Sequence, residues 1–169
     1  MKTAALRRLA ASVALGMAAA GVATLSAAPA LAQSHHDHGT AASAKVRLEA
    51  GRKWTTDGPL RDGMSRIRAL VEPQLAPAHA GKVNAAQYAA LAGRIETEVG
   101  GIVANCKLEP KADAMLHLVI ADIGTGTEAL AGKKAGTQPE QGLAHLAKAV
   151  NDYGRHFQHP GFKPVHIGH

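Results

Sequence analysis

Three histidines crowd around one aspartate at His35-His36-Asp37-His38, directly after the small-residue triplet Ala30-Leu31-Ala32. Imidazole nitrogen is a borderline donor, so such a group points to copper, nickel or zinc rather than to magnesium or calcium. Farther along stand the only cysteine, Cys106, the methionines Met64 and Met115, and the histidines His117 and His156. Thiolate, thioether and imidazole together suit copper, above all Cu(I), and could also serve haem iron.

The spacing at the first group depends on how the chain is processed. Lys2, Arg7 and Arg8 open the sequence, an Ala/Leu/Val run without an acidic residue follows, and Ala30-Leu31-Ala32 makes a cleavage box. Residues 1–32 therefore have the form of a secretory signal peptide, which predicts a periplasmic protein with no stable membrane insertion after cleavage. The new end would read Gln33-Ser34-His35. A free amine, two amide nitrogens and the third-residue imidazole can enclose Cu(II) or Ni(II) in a square plane. His36 and His38 would supply further imidazoles to this exposed end.

Export also changes the charge balance. The leader holds three of the 19 basic residues and none of the 13 acidic ones, so the mature chain keeps 16 against 13. No basic run remains and the few aromatics are not interleaved with Lys or Arg, which excludes nucleic acid as a partner. A single cysteine cannot build a disulfide scaffold. Its thiol is expected to be buried, bound to a ligand, or joined to a second chain as a homodimer. No H-E-x-x-H, nucleophile motif or Gly-rich phosphate loop occurs, so a binding or carrier protein is expected rather than an enzyme.

Removing 32 of 169 residues leaves 137, enough for one domain. Residues 33–56 form a polar, Ala/Ser-rich lead-in without an apolar period. Four segments with helical seams follow over residues 57–159. The first starts after Thr56-Asp57, with Pro59 in its first turn, and runs through Leu60, Met64, Ile67 and Val71; Pro73 and Pro77 should disturb its end, and Gly81 should stop it. The second starts near Asn84 and carries Tyr88, Leu91, Ile95, Val99, Ile102 and Cys106. The third runs from Pro110 through Leu116, Ile120, Ile123, Thr127 and Leu130 to Gly132. The fourth starts at Thr137-Gln138-Pro139-Glu140 and carries Leu143, Leu146, Val150, Tyr153 and Phe157 before Pro160-Gly161. Residues 160–169 read as a His-containing tail wrapped loosely over the rest. No segment alternates with period two. Short connections between amphipathic helices predict an all-α, antiparallel up-down-up-down four-helix bundle.

That topology places the start of helix 1, the end of helix 2, the start of helix 3 and the end of helix 4 at one end, called the lower end below. Met64, Cys106, Met115, His117, Tyr153, His156 and Phe157 then lie within about two turns of it. Trp54 and His159 lie just outside. The opposite end offers only His79. Met115 and His117 flank the seam residue Leu116 on opposite sides, since each residue turns the helix by about 100°. Glycines 100, 101, 124, 126 and 154 weaken their helices and suggest space that a ligand could fill.

The stretches PLRDGMSRIRALV (59–71) and VNDYGRHFQH (150–159) resemble the first and last helices of the small four-helix-bundle b-type cytochromes of the bacterial periplasm. The resemblance implies noncovalent haem b held by Met64 and His156, and a role in electron transfer. It departs on helix 3, where Leu116, Val119 and Ile120 replace the phenylalanines of that family's haem pocket. NCKLEPKADAMLHLVIAD (105–122) also resembles short exported proteobacterial proteins without an assigned activity. Three expectations follow: a copper-binding carrier, a haem b carrier, or a ligand-free interaction protein.

Overall fold

The computed structural model describes residues 45–168; the leader and His35, His36 and His38 lie outside this range. Four helices account for most of the described residues: α1 (Gly58–His79), α2 (Ala85–Asn105), α3 (Pro110–Leu130) and α4 (Pro139–His156). Each helix packs against its neighbours in sequence, and α4 closes the ring against α1. This is the antiparallel four-helix bundle that the seams imply.

Local chemistry sets the helix ends. The Asp57 carboxylate accepts from the Leu60 N–H at 3.0 Å and so caps α1. Its second oxygen accepts from the Lys107 N–H at 2.6 Å, which ties the start of α1 to the α2–α3 connection. Asn84 and Gln87 exchange side-chain-to-backbone hydrogen bonds of 2.9 Å in a capping box at α2. At the far ends of α1 and α3, Gly81 (φ +64°) and Gly132 (φ +69°) adopt the left-handed conformation. The next residues, Lys82 and Lys133, donate back to the carbonyls of Pro77 and Glu128 at 2.9 Å each.

The two interior prolines of α1, Pro73 and Pro77, do not end it; the helix continues through both to His79. Pro73 withholds a donor from the carbonyl of Ala69 one turn earlier, but both residues are exposed, so water can satisfy that oxygen. The seam passes unbroken to buried Leu75 and Ala78.

The core is aliphatic and thin, and helices approach closely where it lacks bulk. A Cβ added to Gly142 of α4 would stand 2.7 Å from the backbone nitrogen of Leu130 and 2.8 Å from the carbonyl oxygen of Gly126 on α3. Gly126 would likewise meet Leu146 at 2.8 Å. Gly154 is covered by the ring of Phe162, 2.9 Å from where a Cβ would lie. At Gly126 and Gly154, then, the space is filled by the protein itself and not left for a ligand, while Gly100, Gly101 and Gly124 meet nothing within 4 Å.

Packing extends beyond the helices, ahead of α1 and after α4. Trp54 is only 9% exposed and belongs to the core. Its N–H donates to the carbonyl of His156, and its own carbonyl accepts from Gln158, each at 2.8 Å. The packed part therefore begins ahead of α1, although the sequence around Trp54 has no seam. After α4 the tail is seated rather than loose: Val165 is 3% exposed, and Arg68 donates to the carbonyl of Lys163 at 2.6 Å. Among the described residues no helix is long and apolar enough to cross a membrane.

Two substitutions in glycine separate packing from propensity. Gly142→Ala should cost about 1–3 kcal/mol, because the methyl meets backbone that cannot swing away. Gly124→Ala should be neutral or stabilise by up to about 1 kcal/mol, since the site is open and alanine favours helix. Urea melts of both variants check the pair. In the same assay Trp54→Ala should lose about 3–5 kcal/mol, as for other large core aromatics.

Candidate functional site at the lower end of the bundle

The soft and imidazole donors named by the sequence sit at the lower end but face different surroundings. Met64 is fully buried on the α1 seam, with 0% exposure. Cys106 is half-buried at the C-cap of α2, where its N–H donates to the carbonyl of Ile102 at 2.9 Å. Burial pushes its thiol up from the ordinary range, and the carboxylates of Asp57 and Asp113 push in the same direction. Cys106 is thus held as the neutral thiol, a poorer ligand and nucleophile than a thiolate. Met115 is half-buried on α3.

The two histidines are oriented alike. His117 Nδ1 lies 2.9 Å from the carbonyl oxygen of Asp113, and His156 Nδ1 lies 2.8 Å from that of Asp152. A neutral ring donating from Nδ1 carries its lone pair on Nε2. His117 also stands 3.4 Å from the Asp113 carboxylate and its side chain is 62% exposed. His156 lines a cleft of about 700 Å³ between α3 and α4, together with Leu118, Asp122, Thr125 and Asp152. Asp113 thus lies close enough to act on the Cys106 thiol and is bonded to His117, while His156 lines the cleft. Among the described residues, no three His, Cys, Asp or Glu side chains are grouped so as to hold a metal ion.

A haem between Met64 and His156 does not fit these residues. Met64 is sealed in continuous core, while the cleft beside His156 opens to solvent along α3 and α4 and does not include Met64. The residue that turns inward at the end of α4 is Phe157, at 0% exposure.

A further histidine at this end, His159, is bonded through both ring nitrogens. Its Nδ1 lies 2.9 Å from the hydroxyl of Tyr153, and its Nε2 lies 3.3 Å from the hydroxyl of Ser65. Tyr153 is fully buried, and burial raises its phenol well above the ordinary tyrosine range. The phenol therefore stays protonated and donates to Nδ1. That fixes His159 as the Nε2–H tautomer, whose N–H points to Ser65. Both ring nitrogens are thus engaged, which removes His159 as a metal ligand in this arrangement. Around it Tyr153 stacks on Phe157 at 5.3 Å between ring centroids and meets Phe162 edge-on at 5.2 Å. His159 itself lies 4.7 Å from the Phe162 ring. Four of the five aromatic residues in the chain, Trp54, Tyr153, Phe157 and Phe162, gather here. That concentration is visible in sequence; the Tyr153–His159–Ser65 connection is not, because it joins α4, the tail and α1.

Protonation of His159 should loosen this cluster. Burial lowers its pKa below the usual 6.5, Arg61 of α1 adds to the lowering, and Asp62 opposes it. A histidine with a depressed folded pKa contributes stability that is present above about 6.5 and lost as pH falls through the folded value. Chemical stability should therefore decline between pH 7.5 and 5. His159→Gln keeps an acceptor for Tyr153 without a titrating group, so its decline should be shallower; equal slopes would show that other groups carry the effect. No protein-family model, curated protein sequence or solved structure matches this chain, so the candidate site stands on its own geometry.

Proposed function

We propose that the protein is an exported carrier of a borderline metal ion, with copper favoured by its donors, and that imidazoles on the outside of a closed bundle do the binding. The observation that carries this reading is the shared orientation of His117 and His156. Each donates Nδ1–H to a main-chain carbonyl one turn back and holds Nε2 as the free lone pair. Metal-ligating histidines are commonly fixed in this way, because the second hydrogen bond sets the tautomer and raises the basicity of the ligating nitrogen. The His35-His36-Asp37-His38 group would add the strongest local concentration of donors, next to the chelating end expected at Gln33. Met64 and Cys106 contribute less in this reading: one is sealed in the core and the other is kept protonated.

Electron transfer through haem b has weaker support, because Met64 is sealed in the core and does not line the cleft that holds His156. A carrier that holds its ion on the surface would load and release it without opening its core. Such binding would be exchangeable rather than structural, and the bundle would fold without metal.

Titration of the full-length protein with Cu(II), and with Cu(I) against a chromogenic chelator, tests the proposal. Replacing His35, His36 and His38 by alanine should weaken Cu(II) binding by about tenfold or more, the equivalent of about 1.4 kcal/mol. The double variant His117→Gln, His156→Gln should remove a further, weaker fraction. His159→Gln should bind like the parent, since neither of its nitrogens is free. Uptake that survives loss of all five of these histidines but falls in Met64→Leu would overturn this reading in favour of an internal site.

A further inference from the structure

The segment after α4 is held in the way proteins hold a bound peptide. The chain turns at Pro160-Gly161, where Gly161 takes φ +78°, and then runs along the groove between α1 and α4. One side chain reads both main-chain groups of a single residue. Asn151 of α4 donates to the carbonyl of Val165 at 2.9 Å and accepts from the Val165 N–H at 2.7 Å. From the other wall, Arg68 of α1 donates to the carbonyl of Lys163 at 2.6 Å. Gly154 provides the seat for the Phe162 ring, Val165 is buried, and Ile167 rests against the core. Main-chain hydrogen bonds combined with seats for particular side chains are the mark of a site that recognises extended peptide.

We propose that the α1–α4 groove is a docking site for the extended segment Phe162–Ile167, and that it takes this segment from a second copy of the chain as well as from its own, giving a dimer by exchange of C-terminal segments. Each contact above lies between the segment and the helical body. The segment of a second copy can therefore reproduce all of them, and the closed and exchanged forms differ mainly in how the chains are linked. The link is short. His159 is fixed by Tyr153 and Ser65, and only Pro160-Gly161 separates it from Phe162. Short hinges favour exchange, and here no helix has to unravel. A tethered segment competes at an effective concentration of roughly millimolar. The closed monomer therefore dominates in dilute solution, and the exchanged form requires high protein concentration or a vacated groove.

Two full-length variants separate donor from acceptor. Val165→Asp spoils the segment and vacates an intact groove. Asn151→Ala cripples the groove and leaves the segment intact. Each alone should be monomeric at micromolar concentration by native mass spectrometry, and their mixture should form a heterodimer. A labelled peptide spanning residues 160–169 should bind Val165→Asp about tenfold more tightly than it binds the double variant Val165→Asp, Asn151→Ala, as expected for the loss of a paired main-chain clamp. If Val165→Asp loses its helical circular dichroism, Phe162→Ala with Val165→Ser serves as the acceptor, with the same outcomes required. Folded acceptors that take up neither the peptide nor the donor chain would overturn the proposal. So would peptide binding that is indifferent to Asn151.

Discussion

A fully buried phenol needs a partner, and at the lower end of this bundle Tyr153 has one in His159 at 2.9 Å. Leaving a buried hydroxyl unpaired costs about 1–3 kcal/mol, a large share of the stability of a small domain. Much of this end can be understood as what keeps His159 in place. Ser65 takes the other ring nitrogen and Phe162 covers a face of the ring. The backbone just ahead of His159 is fixed by Trp54, which bonds to the carbonyl of His156 and the N–H of Gln158. A residue upstream of the first helix and a residue downstream of the last are thus parts of one clamp. Without it the tail would lose its anchor at the root and Tyr153 the acceptor it has in His159.

The upper part of the bundle solves a different problem. Few aromatics and many alanines leave little volume to fill the centre, and a void costs stability in proportion to its size. The structure meets this by moving helices together rather than by enlarging side chains. Gly126 and Gly142 let the α3 and α4 backbones approach to distances no Cβ would permit. The consequence for function is direct. The space beside Gly126 and Gly154 is taken by the helix approach and by the Phe162 ring, so neither glycine opens room for a cofactor. Among the described residues, His156 lines a cleft that opens to solvent.

Most of the fold was legible because period and punctuation agreed. Seams from Leu60 to Val71 and from Leu143 to Tyr153 are buried as their spacing requires, and Asp57, Asn84, Gly81 and Gly132 act at the helix ends that their chemistry favours. Pro73 was misleading because a proline breaks a helix only when the orphaned carbonyl has no other partner, and that depends on exposure, which sequence does not state. Trp54 was hidden because a lone core residue in an extended segment has no period to betray it. The lower-end donors were gathered correctly by topology, but topology fixes height along the bundle and not the direction of a side chain. Met64 and Phe157 point inward, and His156, one position before Phe157, lies on the cleft side. A shift of one residue, about 100° around the helix, separates a core ligand from a surface one.

The closed interior also explains why hydrogen bonding sorts the histidines better than their positions do. His159 reaches Ser65, next to Met64 on α1, yet both of its nitrogens are committed and its ring is walled by aromatics. Binding a metal there would strip Tyr153 of its acceptor, so any gain from coordination would be offset by an orphaned buried phenol. His117 and His156 carry no such penalty. Each spends one nitrogen on a carbonyl of its own helix, a bond that survives when the other nitrogen takes a ligand. On this chain, metal at the surface is compatible with the clamp that holds the fold, and metal at its most connected histidine is not.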